Sequence, residues 1–589
     1  MERRRIAVVG GGVAGLTAAY VLQQGGCEVA LYEAADRLGG HAHTLDRPSG
    51  DGRTVRVDTG FIVHNDRTYP LLLRLFRELG VSTQDSETSM SVRCEGCGLE
   101  YAGARGPAGV FARPGNVLRG RYLRMLTEIR AFYRAARTTL ALDPGDTLTL
   151  GRFLAAHRFS RYFVAHFVMP LVSAVWSCPP ATAVQYPAVY LFRFLEHHGL
   201  LSVGGSPQWK TVTGGSVEYV GRIGKQLTAV HTGTPVRAVH RTPDHARIVT
   251  EDGTPHTHDA VVLAAHPDQT LRMLAAPTED ERRLLGAFPY SRNTALLHGD
   301  TSLLPRARGA RASWNHLMAS CTTPADEVQV SYHLNRLQRL DTPEDFVVTL
   351  NPGDRVADHR VLARMVYEHP QYTPESVAAQ QQLPQLNTAV TAFAGAYHGW
   401  GFHEDGCRSG VQAAAALGVL MLAHARVLGQ VFNVGDAQYP AFAARLQALL
   451  RPGGRVLVQQ MSRGAGAPGG GAFIESYIAP DMHMRPLGAT VGLLEAAGLE
   501  ARSVESLREH YVRTIAAWHR TLESRWSEFV ALAGEPTGRV WRLYLAGSGP
   551  AFRERRMGVD PILAVRPTPE GEAAMPPTPY DWYVSGGWG

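Results

Sequence analysis

The sequence has 589 residues, 45% apolar and 19% charged, a balance that excludes a disordered chain and a length that exceeds what one hydrophobic core supports. Its net charge of +6 is modest for this length and leaves no electrostatic footprint for nucleic acid, so no nucleic-acid partner is expected. The positive charge is almost all arginine, with lysine only at Lys210 and Lys225. Six cysteines, Cys27, Cys94, Cys97, Cys178, Cys321 and Cys407, are too scattered for a disulfide scaffold and point to a reducing compartment. The first strand begins within about five residues of Met1, which leaves no room for a signal peptide. No apolar run approaches the ~18 residues of a membrane span. A cytoplasmic location follows as the expectation.

In chain order, the apolar run Ile6-Ala7-Val8-Val9 leads into Gly10-x-Gly12-x-x-Gly15. A helix-like stretch, Leu16 to Gln24, follows, and a second short strand, Glu28 to Tyr32, closes on Glu33. This is a βαβ opening. Gly10 permits the tight turn, Gly12 lets backbone N–H groups approach a pyrophosphate, Gly15 lets helix and strand pack closely, and Glu33 is placed to accept hydrogen bonds from a ribose. After Arg37-Leu38-Gly39-Gly40 come His41 and His43, a strand-like Thr54 to Val57, and Asp58-Thr59-Gly60-Phe61-Ile62-Val63-His64-Asn65. His41, His43 and His64 stand beside no carboxylate or cysteine cluster. Cys94-x-x-Cys97 has no second CxxC or HxxxH in the sequence and reads as a loop pair without metal, so no metal site is expected. Tyr69 to Gly80 has helical apolar spacing and a terminal glycine.

From Pro114 to Leu142 the pattern is one long helix, with Leu118, Tyr122, Met125, Leu126, Ile129, Phe132 and Tyr133 on one side and six arginines in the same segment. Such a helix either lies on an anionic bilayer or presents a solvated face over a packed stripe, and the second reading is preferred. Met169 to Ser177 is apolar and aromatic, as suits a substrate-pocket wall and equally a core. Thr213-Gly214-Gly215-Ser216 opens a short helix, Pro235 to His240 is a strand, Ala246 to Thr250 with the turn Glu251-Asp252-Gly253 is a hairpin, and Asp259 to Ala265 ends a buried strand. Phe393-Ala394-Gly395 through Gly399, Gly401 and Phe402 to His403-Glu404-Asp405-Gly406 joins a strand to a helix N-terminus rich in backbone donors. His403, Glu404 and Asp405 are either proton-transfer groups or a dipole-matched first turn, with capping preferred. The apolar stretch Ala413 to Ala423 reads as a buried helix.

Arg37-Leu38-Gly39-Gly40 after the acidic residue resembles the second motif of the FAD-binding amine oxidase and phytoene desaturase superfamily. Residues 1 to about 428 resemble a bacterial subgroup of that superfamily and the flavin half of plant cyclopropane fatty acid synthases. The resemblance implies FAD as cofactor. It implies cofactor contacts at Gly10, Gly12, Val13, Ala14, Gly15, Glu33, Arg37, Gly39 and Gly40, flavin contacts at Gly60, Asn65, Gly395, Gly401, Glu404 and Asp405, and an adenine contact at Val236. Trp176, Trp314, Asn315 and His298 are the expected substrate-pocket residues. The fold class expected is α/β, a Rossmann-like FAD-binding domain with an inserted α+β substrate domain. FAD-binding parts fall at 1–68, 206–287 and 389–430, and substrate-domain parts at 69–205 and 288–388. Many amine oxidases of the superfamily hold water near the flavin with a lysine, whereas Lys210 and Lys225 both fall beside the expected adenine-side segment, which weakens an amine oxidase reading. No catalytic residue is assigned.

Residues 431–589 resemble part of a cyclopropane fatty acid synthase, a partial α/β methyltransferase-like region. The likeness rests on Tyr439-Pro440-Ala441-Phe442, Leu449 to Val458, Phe473 to Ile478, Glu505 to Trp518 and Tyr544 to Arg553. The glycine-rich S-adenosylmethionine loop and the catalytic cysteine region have no counterpart. Phe432 replaces the glutamate that helps hold bicarbonate, Gln459 stands where many members place a histidine, and Tyr511 matches the active-site tyrosine. The tail is therefore expected to be inactive. The whole reads as an FAD-dependent oxidoreductase taking hydride from a hydrophobic small molecule or lipid acyl chain. Amine oxidation, and a flavin-bearing scaffold for a separate lipid methyltransferase partner, are the alternatives; peripheral membrane contact is compatible with the first reading.

Overall fold

A computed structural model describes residues 3–142, 148–202, 207–321, 327–419, 422–428, 434–464, 466, 471–478, 483–573 and 575. The chain forms two compact units, 1–418 and 419–589. The first is built on a parallel sheet in the order Ala229–His231, Glu28–Tyr32, Arg5–Val9, Ala260–Leu263, Thr391–Phe393. Ile6, Ala7 and Val8 pair with Ala260, Val261 and Val262 on one side and Val29, Ala30 and Leu31 on the other. Both central strands are buried, which is why they read as unbroken apolar runs rather than as alternation.

Two helices meet beside this sheet. Val13–Gln24 buries Leu16, Ala18, Ala19 and Leu22, and His403–Ala416 lies against it. Glycines set their spacing: a Cβ at Gly406 would fall 2.6 Å from Val13 Cγ1, and one at Gly410 would fall 2.4 Å from the Ala14 oxygen. A three-stranded antiparallel sheet, Val236–Arg241, Ala246–Thr250 and Pro255–His258, is attached to this part.

The inserted α+β part has a seven-stranded sheet in the order Val361–Pro370, Tyr290–His298, Val347–Leu350, Val330–His333, Trp314–Met318, Met90–Cys94, Glu100–Ala102. Its helices share an aromatic core that includes Tyr122, Phe132, Phe153, Phe163, Trp176 and Phe192. The long helix expected from Pro114 begins later: Pro114–Leu118 is a separate 3-10 turn, and the α-helix is Gly120–Leu142. Leu118 is 89% exposed and so leaves the packed stripe, while Tyr122, Met125 and Phe132 stay in it. Arg124 pairs with Glu128, and Arg137 with Glu196, as on a solvated face. Arg161–Phe163 continues through a π-helical turn, Val164–Val168, into Met169–Trp176. Pro170 has no N–H to give back to the preceding turn, and the widened turn absorbs that; Tyr101 Oη donates instead to the His166 carbonyl, 2.8 Å away.

The helix expected over Ala413 to Ala423 stops at Ala416, because Gly418 takes a φ of +87°. Leu422–Leu428 is instead a strand of the second unit, so that unit starts before the boundary expected at Gln430. Its sheet runs Leu422–Leu428, Leu450–Arg463, Met557–Val565, Glu500–Val504, with Arg485–Pro486 beside the second of these. Tyr439, Ala443, Leu446, Val456, Val458, Leu494 and Ile562 form one core. Helices Arg508–Ser524 and Glu535–Arg553 pack through Ile515, Leu522, Leu545 and Phe552. Tyr511 lies tilted against Phe552, 5.6 Å between ring centres, and Gln459 is half-buried in the long strand. Phe432 lies outside the described residues.

Candidate functional site

A cavity of about 770 Å³ in the first unit brings together residues from both ends of that unit and from the inserted sheet. Val9, Gly10, Gly12, Val13, Ala14, Glu33, Gly39, Gly40, Gly60, Val236, Gly395 and Gly401 line it. The strand Arg5–Val9 ends at Gly10, whose φ of +107° only glycine adopts without strain, and a Cβ there would meet the Ala264 oxygen at 2.7 Å. Gly15 is equally constrained, since its Cβ would lie 1.9 Å from the Gly10 oxygen. Gly12 differs: a Cβ there meets nothing within 4 Å, because the residue faces the cavity at the start of the helix. That is the backbone cradle a phosphate group occupies.

Glu33 Oε2 accepts from Gly11 N at 2.6 Å and Oε1 from Ala35 N at 2.8 Å. Each oxygen keeps a second lone pair for a ligand hydroxyl. The opposite end is made by the segment after Thr391–Phe393, where Tyr397, Trp400, Phe402 and His403 line the wall, with His403 stacked on Phe61 at 3.6 Å. His41 Nε2, Trp314 Nε1, Trp400 Nε1 and His403 Nε2 are buried with no partner among the described residues, and all four residues line the cavity. Glycine cradle, ribose-type acceptor and these donors fit a flavin dinucleotide.

Five expected cofactor residues lie elsewhere. Gly15 packs helix on strand and does not face the cavity. Arg37 folds back on its own loop, Nη2 donating to the Gly40 carbonyl at 2.9 Å. Asn65 Oδ1 accepts from Arg67 N and Thr68 N, closing a local turn before the helix Pro70–Leu79. Glu404 accepts from Leu71 N and Leu72 N, both at 3.0 Å, capping that same helix across a sequence gap of hundreds of residues. Burial raises the Glu404 carboxyl to about 7 against these bonds. Asp405 accepts from Phe402 N at 3.0 Å and pairs with Arg408, which is a capping arrangement.

Of the expected substrate residues, Trp176 and Trp314 line the cavity. Asn315 and His298 do not. Asn315 is spent on Ser91, Ala312 and Ser331, and His298 sits buried between Thr349 Oγ1 at 2.7 Å and Asp300 N at 3.0 Å. Neither lysine lines the cavity; the strand of Lys210 pairs with His64–Asn65, and its amine bonds Asp66 at 2.7 Å.

The sequence reading missed His266, Glu368 and His369. His266 Nδ1 lies 3.2 Å from Glu368 Oε2, and all three line the cavity. His369 Nδ1 accepts from Asn293 Nδ2 at 3.1 Å. Burial lowers His369 to about 4, with repulsion from His266 adding to it, and lowers His403 to about 3; His41 falls well below its ordinary value for the same first reason. The cavity thus holds several uncharged imidazoles. Beside them, Ala174, Val175, Trp176, Trp314 and Tyr332 form an apolar wall. Cys94 and Cys97 also have neighbours that the sequence did not reveal, His166 and Cys321.

Comparison with known proteins agrees with this geometry. Residues 13–299 match the family described as flavin containing amine oxidoreductase, and residues 425–562 match the family described as mycolic acid cyclopropane synthetase. A probable fatty acid methyltransferase of Pseudomonas putida is 35% identical over 161 residues, 26% of this chain and 41% of the relative. Carotenoid phi-ring synthase of Streptomyces griseus is 29% identical over 288 residues, 46% of this chain and 54% of the relative. The chain thus spans about half or less of the length of these relatives. The solved cyclohexylamine oxidase from Brevibacterium oxydans IH-35A is 16% identical, with a TM-score of 0.50 over 71% of this chain and 99% of that one, a likeness of fold.

Proposed function

We propose that this chain, a flavin amine-oxidoreductase-type unit followed by a methyltransferase-like region, is an FAD-dependent oxidoreductase acting on a hydrophobic, lipid acyl substrate. The observation that carries this reading is a single cavity in which the dinucleotide cradle continues into an apolar, aromatic wall. Gly10, Gly12 and the start of the helix Val13–Gln24 would hold the pyrophosphate, Glu33 the ribose, Val236 the adenine side, and the Gly395 to His403 segment the flavin ring. Bound FAD supplies a two-electron acceptor for hydride from a substrate carbon. The protein's part is to position and dry the substrate: Trp176 and Trp314 exclude water, and the neutral imidazoles of His41 and His369 offer hydrogen bonds without charge. His266 with Glu368 is the pair best placed to hold a substrate proton.

The relatives named for a carotenoid ring synthase and a fatty acid methyltransferase support a hydrophobic substrate. Amine oxidation is the second reading, favoured by the (S)-6-hydroxynicotine oxidase of Paenarthrobacter nicotinovorans, 24% identical over 287 residues. The cavity lining, which includes no lysine among the described residues, favours the first. Residues 431–589 are inactive in methyl transfer in this account and dock a separate lipid methyltransferase. Isothermal calorimetry that detects S-adenosylmethionine binding to the full chain would refute the inactive tail, and a pull-down with and without 431–589 tests the docking. A cytoplasmic protein with peripheral membrane contact fits exposed Val117 and Leu118 beside the arginine-rich helix, and no described helix is long and apolar enough to cross a membrane. Acid release of a flavin that chromatographs as FMN rather than FAD would contradict the cofactor assignment.

A further inference from the structure

Four ligand-type side chains converge outside the lining of the cavity. Cys94, Cys97, Cys321 and His166 each present one donor atom, and these atoms all lie within 4.8 Å of one another. None of the four lines the cavity described above. They come from three places in the fold: the end of strand Met90–Cys94 and the turn after it, the loop after strand Trp314–Met318, and the π-helical turn Val164–Val168.

The backbone is shaped for this approach. Cys94 N donates to the Leu99 carbonyl at 2.9 Å, which closes the turn carrying Cys97, and Gly98 takes a φ of +68° inside it. Glu95 N donates to the Met318 carbonyl at 2.8 Å, joining this turn to the Cys321 loop. A Cβ at Gly96 would stand 3.2 Å from Cys321 N and 3.5 Å from Cys321 Sγ, so glycine there lets the two loops close on each other. Arg119 Nη1 holds the Cys97 carbonyl at 2.9 Å from a fourth direction.

His166 is oriented as well as near. Its Nδ1 lies 3.0 Å from the Tyr162 carbonyl, which can only accept, so Nδ1 carries the proton and Nε2 is left with a lone pair. That Nε2 is 3.5 Å from Cys97 Sγ. A ring nitrogen freed in this way by a carbonyl on the opposite nitrogen is the arrangement that orients histidine ligands on metals. The ring is also stacked on Tyr162 at 4.0 Å. π-helical turns such as the one that bears His166 recur at functional positions.

We infer that Cys94, Cys97, His166 and Cys321 form a closed, four-ligand structural zinc site. Three thiolates and an imidazole are the soft donor set that selects zinc over magnesium or calcium. A tetrahedral ion with bonds of about 2.3 Å separates its sulfurs by about 3.8 Å, within reach of small rotamer shifts from the present spread. With four protein ligands no position remains for substrate, so the ion clasps rather than catalyses. What it clasps is relevant to the cavity: the helix Met169–Trp176 follows the His166 turn and supplies Ala174, Val175 and Trp176 to the apolar wall. A disulfide between Cys94 and Cys97 would use two of the four groups and leave the prepared His166 nitrogen without a role.

The test is elemental analysis of the full-length protein, purified from zinc-supplemented cells on a tag that needs no metal column. About one zinc per chain is expected, since one tetrahedral set accounts for one ion. Cys97→Ser, Cys321→Ser and His166→Gln should each lose most of the zinc and melt several degrees lower, whereas Cys27→Ser should keep both. Wild-type protein grown on cobalt(II) covers the case in which the variants fail to fold: it should show intense sulfur-to-cobalt charge transfer and tetrahedral d–d bands. Zinc-free wild-type protein, a Cys94–Cys97 disulfide in its intact mass, zinc retained by all three ligand variants, or a cobalt spectrum without sulfur charge transfer would each overturn the assignment.

Discussion

Gly410 and Ala14, nearly four hundred residues apart, touch so closely that a Cβ on Gly410 would fall 2.4 Å from the Ala14 carbonyl oxygen. The contact joins the two glycine-bearing helices whose N-terminal ends border one cavity. Replacing this glycine should therefore harm the site and not only the helix.

Gly410→Ala is expected to destabilise the protein by about 1–3 kcal/mol, the usual cost of overpacking, and to lower the flavin-to-protein absorbance ratio of purified material. Gly221 offers the contrast, because it lies in the helix Val217–Gly224 with nothing within 4 Å of a built Cβ. Gly221→Ala should be neutral or stabilising by up to about 1 kcal/mol. Thermal melts of the two variants side by side check both.

The local backbone around the cavity was readable in the sequence. Gly10 to Gly15 and Glu33 are such a case, since strand, turn and helix follow each other without a break. The roles of Glu404 and Asn65 were not readable for opposite reasons. Glu404 caps a helix hundreds of residues away, a tertiary contact with no sequence trace, and Asn65 is used up by a turn two and three residues on. His266 did have a trace: it follows the buried strand Ala260–Leu263, and ligands of open parallel sheets bind beyond the carboxyl ends of the strands. Glu368 and His369 had none, because only the pairing of Val361–Pro370 with Tyr290–His298 places them at the cavity.

Glu404 makes a pH prediction of defined sign. Burial raises its carboxyl from the usual 4.5 to about 7, so the folded state binds a proton that the unfolded state has lost between those values. Its contribution to stability is present below about pH 4.5 and is lost as pH rises toward 7. Glu404→Gln should abolish that loss, so the difference in melting temperature, variant minus wild type, should grow between pH 4.5 and 7. A difference that is flat over this range contradicts the assignment.

His369 acts in the opposite sense. Burial lowers it from 6.5 to about 4, so the unfolded chain takes up a proton first as pH falls. Stability from the neutral ring is full above about pH 6.5 and is lost as pH drops toward 4. His369→Gln should shallow that acid limb in denaturant titrations at pH 4.5, 5.5 and 6.5, and an unchanged limb would show that the ring is not buried neutral.

Glu33→Ala removes the acceptor held by Gly11 N and Ala35 N at the edge of the cavity. Loss of a charge-assisted bond of about 1.5–3 kcal/mol should weaken flavin retention roughly tenfold or more, read by equilibrium dialysis against free FAD. Retention equal to wild type would remove Glu33 from the ribose side of the site.

Whether the cavity oxidises a hydrophobic acyl substrate, as proposed, is read most directly by anaerobic mixing. Flavin-loaded protein is combined without oxygen with a membrane lipid extract or with a panel of simple amines, and the visible flavin bands are followed. Bleaching by a lipid class and persistence of the bands with amines are expected under that proposal. Bands that persist with every lipid class, or bleaching by amines followed by hydrogen peroxide release when air is admitted, would contradict it.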